Sequence, residues 1–340
     1  MKKKHLLWSL AVFLLIFMSA CGEKSKEDVI SSLEDKVEEM SGYKAQAKME
    51  LKTGEDVQSY EIGVWHQKND MYRVELNNPS SEKGNQIILK NKEGVFVLTP
   101  ALNKSFKFQS EWPDNSSQPY LFASLVKDVV NDQESEFKQT DNHYVFTTKT
   151  NYQSNNNLPY QEITFSKDTL KPVMVKVMDK DYQSLVEISF SSFEFDPEFA
   201  EDDFDTQKNL TSSVMNVPAM ANSEEEETLE VLYPVNLPEG TSLAEEKKTE
   251  FENGTRVILT YEGDKSFTLI QEQYQSYPTS ITSPVNVQGS PISLGATVGV
   301  MTEESVEWSK DNTRFYLASK DLTREEMIEV ASSVEGKGIK

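Results

Sequence analysis

The chain has 340 residues, 37% of them hydrophobic and 10% aromatic, which excludes a disordered chain and makes two domains with packed cores the expectation. A net charge of −22 is repelled by nucleic-acid phosphates and by anionic headgroups, so neither is reached through surface charge. The single cysteine excludes a disulfide within the chain.

At the N-terminus, Lys2, Lys3 and Lys4 precede an apolar run from Leu6 to Met18 that only Ser9 interrupts. Its 13 residues suit a signal h-region and fall short of the roughly 20 that a transmembrane helix needs. Met18-Ser19-Ala20-Cys21 follows, and small residues before a cysteine at this distance resemble the lipobox of bacterial lipoproteins. That resemblance implies a diacylglycerol on Cys21 and cleavage in front of it, although Met18 stands where leucine is usual. An ordinary signal peptide followed by a chance cysteine is the competing reading. Residues 1–20 are thus expected to be a lipoprotein signal peptide and 21–25 a lipidated tether. Each buried CH₂ of an acyl chain contributes about 0.8 kcal/mol, so two chains hold stably. The body is then expected on the outer face of the cytoplasmic membrane.

Val29, Ile30, Leu33, Val37 and Met40 recur at helical steps over 26–41, with Ser25 as N-cap. Tyr43 to Leu51 alternates strictly, as a strand with one wet face does. Further strands are expected at 60–64, 72–76, 86–90, 94–98 and 104–108, with turns at Lys68-Asn69-Asp70 and Asn91-Lys92-Glu93. Helical spacing returns over 120–130, where Phe122, Leu125, Val126, Val129 and Val130 share one side behind Pro119. Strands resume at 144–148, 160–165, 172–177 and 185–195. In the last, apolar parity slips from Val186, Ile188 and Phe190 to Phe193 and Phe195, which predicts a β-bulge at Ser191-Ser192.

This order, with short connections and two apolar helices, predicts an antiparallel sheet whose core face the helices cover. The opening helix, the Tyr43-x-Ala45-x-Ala47-x-Met49-x-Leu51 strand and the closing Phe193-Glu194-Phe195-Asp196-Pro197-Glu198-Phe199 run, with Phe204 after it, resemble the LolA-like lipoprotein-sorting and carrier superfamily. The resemblance covers roughly 26–210. It implies an α+β fold in which a curved antiparallel sheet, a half-barrel, wraps around helices. It also implies an apolar concave side, and a role in sporulation or germination because the superfamily includes lipoproteins of spore-forming bacteria. An anchored chain departs from a soluble shuttle.

Residues 26–217 are accordingly expected as the half-barrel domain, 218–227 as an acidic linker ending in Glu224 to Glu227, and 228–340 as a smaller α+β domain. There, strands are expected at 228–233, 255–261, 266–271, 284–287, 296–301, 306–308 and 313–318. A last helix opens on the capping box of Thr323 and Glu326, with Leu322 and Met327 as its staple and Gly336 as its stop. Trp308-x₅-Arg314-x-Tyr316 followed by Glu325-Glu326-Met327-Ile328 looks like an uncharacterised module of envelope-facing lipoproteins, which implies a place outside the cytoplasm but no chemistry.

No catalytic pattern emerges. His66 and His143 lie far apart, the only thiol is assigned to lipid, and no G-x-S-x-G, H-E-x-x-H or P-loop is present. The acid run Asp196, Glu198, Glu201, Asp202, Asp203, Asp205 lacks the spacing and glycine of a calcium loop and reads as a solvated acidic loop. No cofactor or metal is expected. Met49, Tyr72, Phe96 and Phe122 are core residues first, and only if the half-barrel gapes would some of them line an apolar cavity. The expected function is a non-enzymatic, membrane-anchored envelope protein that binds an apolar segment or a protein partner. A carrier of lipid or lipoprotein acyl chains is the alternative, and an envelope hydrolase using an unrecognised acidic pair is a third reading.

Overall fold

The computed structural model describes residues 24–336, apart from 54–55, 80–84, 101–103, 109, 115, 153–157, 217–228, 252–253, 275–283, 288, 295–296 and 311–312. Cys21 and the acidic linker therefore lie outside the described residues. The chain forms two compact units, Met1–Glu39 and Met40–Lys340.

In the first unit, helix α1 (Lys26–Glu39) is the expected amphipathic helix, with Val29 and Leu33 buried. Ser25 caps it: its hydroxyl accepts from the Asp28 amide at 3.1 Å, and the Asp28 carboxylate accepts in return from the Ser25 amide at 3.1 Å. The helix ends two residues before the expected limit, because Met40 and Ser41 belong to the approach to the first strand.

The second unit is mostly sheet. Strands β1 (Gly42–Thr53), β2 (Asp56–Gln67), β3 (Met71–Asn77), β4 (Gln86–Asn91), β5 (Gly94–Thr99) and β6 (Lys104–Phe108) follow one another antiparallel. Helix α2 (Phe122–Asn131) interrupts them before β7 (Glu136–Gln139), β8 (His143–Lys149), β9 (Tyr160–Ser166), β10 (Pro172–Met178) and β11 (Ser184–Phe195). Pairing of β11 with β1 joins the two runs into one open sheet. Helix, strands, helix, strands is the order that the LolA-like resemblance implies. The turn after β2 places Asn69 and Asp70 at φ 76° and 66°, a left-handed conformation these residue types tolerate. Ser191 is the extra residue of the expected bulge: Gln46 faces Ser192, Ala47 faces Phe190, and the Ser191 hydroxyl donates to the Gln46 carbonyl at 3.2 Å. The slip keeps Phe193 and Phe195 on the same face as Phe190 and Ile188.

After β11, helix α3 (Thr206–Asn216) was not expected from sequence. Phe204 and Leu210 in this stretch are buried against Ile87, Leu89, Phe96 and Leu98, with Trp65, Met71 and Phe199 packed alongside. The acid run serves as local caps. Asp196 accepts from the Ser41 amide at 2.6 Å, Asp205 accepts from the Lys208 amide at 2.7 Å, and Lys208 pairs with Asp202 and Asp203.

The remaining strands are β12 (Tyr233–Pro234), β13 (Thr241–Phe251), β14 (Gly254–Gly263), β15 (Phe267–Tyr274), β16 (Val285–Val287), β17 (Ser290–Leu294), β18 (Thr297–Met301), β19 (Ser305–Lys310) and β20 (Thr313–Ala318), then helix α4 (Arg324–Ser332) and β21 (Val334–Gly336). A seven-stranded antiparallel sheet runs in the order β13-β14-β15-β20-β19-β18-β17. On its inner face, Val257, Leu259, Leu269, Phe315 and Leu317 are buried with Met327, Ile328 and Ala331 of α4. Strand β16, expected in this sheet, pairs instead in parallel with β6 at the edge of the large one.

The capping box of α4 is present, with the Thr323 hydroxyl accepting from the Glu326 amide and Glu326 accepting from the Thr323 amide at 2.8 Å. Thr323→Ala is expected to lower stability by about 1 kcal/mol in urea unfolding. Gly336 does not stop the helix as expected: α4 ends at Ser332, and Gly336 pairs with Tyr233.

Candidate functional site

One row of side chains crosses the large sheet on the face toward α2. Register sets Phe195 beside Tyr43, Tyr43 beside His66, and His66 beside Tyr72. The His66 ring stacks on Tyr72 with centroids 4.3 Å apart and lies 5.3 Å from Tyr43, while Trp112 meets Tyr72 edge-on at 5.7 Å. Phe122, the first residue of α2, makes edge contacts with Tyr43, Phe165, Phe193 and Phe195 at 5.4 to 6.3 Å. Such tilted contacts suit the ring quadrupoles better than face-to-face overlap. The result is an aromatic seat, closed by the helix.

Tyr43 also holds the helix end. Leu121, at the N-cap, has no side-chain acceptor to offer, and the Tyr43 hydroxyl accepts from the Phe122 amide at 3.2 Å. It thereby satisfies one of the free donors of the first turn. Tyr43→Phe keeps the ring and removes only this bond. The expected loss is about 1 kcal/mol by denaturant unfolding.

The titratable groups here are held uncharged. Burial pushes the His66 imidazole down to about 4, against weaker opposing effects of its bond to the Met71 carbonyl and of Asp70. Nδ1 lies 3.1 Å from that carbonyl, so the neutral ring carries its proton there and donates it. Burial also raises Tyr43, Tyr72 and Tyr120 well above the usual phenol range. A neutral imidazole between protonated phenols provides apolar surface and fixed hydrogen bonds. It is a poor proton relay near neutrality. His143 opens β8, five strands away from β2 in sheet order, so the two histidines form no joint site. Among the described residues, no group of three or more His, Cys, Asp or Glu side chains could hold a metal ion.

Behind α2 lies a buried polar group that the sequence pattern did not reveal. Gln161 on β9 donates to the Asp128 carboxylate at 2.7 Å, Ser117 bonds the same carboxyl, and Thr148 Oγ1 donates to the Asp128 carbonyl at 3.2 Å. Burial raises the Asp128 carboxyl above the ordinary range, outweighing these bonds and Lys127.

The four candidate lining residues fall in three places. Tyr72 and Phe122 are linked through His66 and Tyr43. Met49 is buried on the same face but lies six residues beyond Tyr43, about 20 Å along β1. Phe96 faces the other way. Its register partner Leu89 belongs with Arg73 and Trp65, and it packs under Phe204 and Leu210. A period-two pattern does not show in β4 and β5, because residues pointing both ways are buried there. Trp112, by contrast, sits in a segment whose sequence carries no repeating signal, and Tyr120 and Asp128 fall within the 120–130 helical spacing, which marks only its apolar side.

A broad open sheet seating one aromatic-led helix, followed by a separate antiparallel sheet, defines a two-module protein of mainly β architecture. The chain belongs to the family described as Sporulation protein YdcC-like, which matches residues 2–204, while a domain of unknown function, DUF4367, matches 231–334. The Sporulation protein YdcC of Bacillus subtilis (strain 168) is 48% identical over 339 residues, covering 100% of this chain and 99% of that protein. Among solved structures, the Pseudomonas aeruginosa MucA/MucB complex is similar at 15% identity over 92% of this chain and 99% of that one, with a TM-score of 0.32. A LolA superfamily protein from Nitrosomonas europaea is similar at 8% identity over 54% and 99%, with a TM-score of 0.31.

Proposed function

We propose that this chain is a lipid-anchored envelope protein serving sporulation, acylated on Cys21 and held on the outer face of the cytoplasmic membrane, where it binds a protein partner or an apolar segment without chemistry of its own. Family membership supports the sporulation role. The Lys2–Lys4 cluster, the short apolar run and Cys21 support the anchor.

The observation that carries the non-enzymatic reading is the state of the aromatic seat. Its histidine and phenols are buried in their neutral forms, and Phe122 is packed on four rings. General acid–base catalysis calls for a group whose titration lies near the working pH. Among the described residues, the rings of this seat present none. The same packing weighs against a resident acyl-chain carrier, which would need α2 lifted from the sheet to free several hundred Å³.

Two measurements test the proposal. Cells fed labelled palmitate are expected to label the wild-type chain and not Cys21→Ser, and the variant is expected to leave the membrane fraction. Detergent-extracted wild type is expected to co-purify with a stoichiometric protein partner. A Cys21→Ser chain that stays with membranes, together with an unlabelled wild type, would sink the anchor. Stoichiometric phospholipid in place of a protein would favour the carrier.

A further inference from the structure

The edge of the large sheet beside β6 is occupied by a strand that arrives from far along the chain. Val285, Asn286 and Val287 pair in parallel with Phe106, Lys107 and Phe108. Every other strand pairing described in this protein is antiparallel. The β16 addition is short, and Val285 is 57% exposed within it. Three residues with so little burial belong to the low-stability end of local opening.

A much better-built contact stands on β4, three strands in from β16. Gln86, the first residue of β4, is 2% exposed, and its carboxamide faces the peptide groups of Val298 on β18. Val298 N donates to Gln86 Oε1 at 2.7 Å, and Gln86 Nε2 donates to the Val298 carbonyl at 3.2 Å. The side chain thus does what a neighbouring strand's peptide would do. Thr297 Oγ1 lies 3.0 Å from Gln86 Oε1 and 2.9 Å from the Ser309 carbonyl, sharing its single proton between them. Lys104 of β6 is half-buried within reach of the charges of Arg314, Glu307 and Glu272. Glu272 itself is clamped between Arg256 and Arg314, and Arg314 reaches Glu307 at 2.8 Å.

These groups divide unequally. The polar catch at Gln86 is buried and bonded through both its oxygen and its nitrogen, whereas β16 is short and wet. A sheet edge offers unpaired amides and carbonyls to any extended segment. We propose that the outer edge of β6 is a docking site for an extended partner segment running parallel to it, that the chain's own β16 fills this site in cis, and that the Gln86–Val298 pair is the catch that keeps it filled.

The chemistry of the occupant follows from register. Residues two apart on β16, Val285 and Val287, fall beside Phe106 and Phe108, a favourable pairing of β-branched with aromatic side chains. The partner segment is therefore extended, β-branched at alternate positions and free of a need for charge. Releasing the catch raises the fraction of molecules with an open edge, and the apparent affinity for a competing strand rises by the same factor.

The test uses the full-length, detergent-solubilised protein and a fluorescein-labelled peptide of sequence Ser-Pro-Val-Asn-Val-Gln-Gly-Ser-Pro, this chain's own strand with its flanks. Gln86→Ala is expected to speed amide exchange at Lys104–Phe108 and to tighten peptide binding, each by about tenfold, while exchange in β9 to β11 stays at the wild-type rate. A second variant carries Phe106→Cys with Val285→Cys, at positions that are register partners. Its oxidised form is expected to lose peptide binding, and reduction to restore it. Equal peptide affinity for wild type and Gln86→Ala would overturn the proposal, as would exchange rising equally in β9 to β11. Peptide binding by the oxidised double variant that matches its reduced form would also overturn it.

Discussion

Replacing Phe122 by alanine is expected to destabilise the protein by about 3–5 kcal/mol, the range for deleting a fully buried aromatic ring. The ring is wholly buried, and its neighbours cannot close the gap it leaves. Tyr43 is tied to the Phe122 amide, while Phe193 and Phe195 are fixed by the register of β11 against β1. A cavity between rigid elements relaxes little, so both the transfer and the void contributions persist. The expected result in urea unfolding is a midpoint shift at unchanged slope. The same variant separates the two functional readings. If α2 only completes a core, uptake of a fluorescent fatty acid stays at the wild-type level. If the sheet is a latent acyl-chain carrier, the emptied seat takes the probe up, and Phe122→Leu shows a smaller gain.

The sequence disclosed the fold where one face is dry and the other wet. Strand β1 alternates from Tyr43 to Leu51, and the slip of parity in β11 located the Ser191 bulge because a misplaced residue would otherwise bury serine and expose phenylalanine. It failed where that contrast vanishes. Residues pointing both ways in β4 and β5 are buried, since the stretch holding Phe204 and Leu210 packs on the side of Phe96, so burial alone does not tell the face of Phe96. At the other extreme, β13 is an edge strand exposed along nearly its whole length, and its Glu245-Glu246-Lys247-Lys248 run has no apolar member to reveal it. Charged edges of this kind discourage pairing with other chains, which is the reason such a strand looks like a loop in sequence. The aromatic seat was half legible: Tyr43, Tyr72 and Phe122 stand out by spacing. The Asp128–Gln161 bond and the Gln86 catch join residues 33 and 212 positions apart, and nothing local marks either partner.

Acid is expected to weaken the wild-type protein through His66, and the window is set by its two ionisation states. In the unfolded chain the ring titrates near 6.5, whereas in the folded protein burial lowers it to about 4. Between those values the unfolded state binds the extra proton, so stability is complete above the upper limit and falls as pH drops toward the lower one. At about 1.4 kcal/mol per pH unit, the whole interval amounts to roughly 3.5 kcal/mol, with no further loss from this residue well below it. Asp128 works in the opposite sense. Its raised carboxyl favours the folded state at low pH and costs stability as the pH rises through its folded value, so the wild-type profile mixes the two. Comparison with His66→Phe isolates the imidazole. Phenylalanine preserves the ring between Tyr43 and Tyr72 and gives up the bond to the Met71 carbonyl, a loss that is the same at every pH. Unfolding free energies measured in steps from about pH 7 to pH 4 are therefore expected to converge: the wild type starts higher and loses roughly 3 kcal/mol more than the variant. Parallel profiles for the two proteins would mean that His66 is solvated in the folded state, and the closed aromatic seat would go with it.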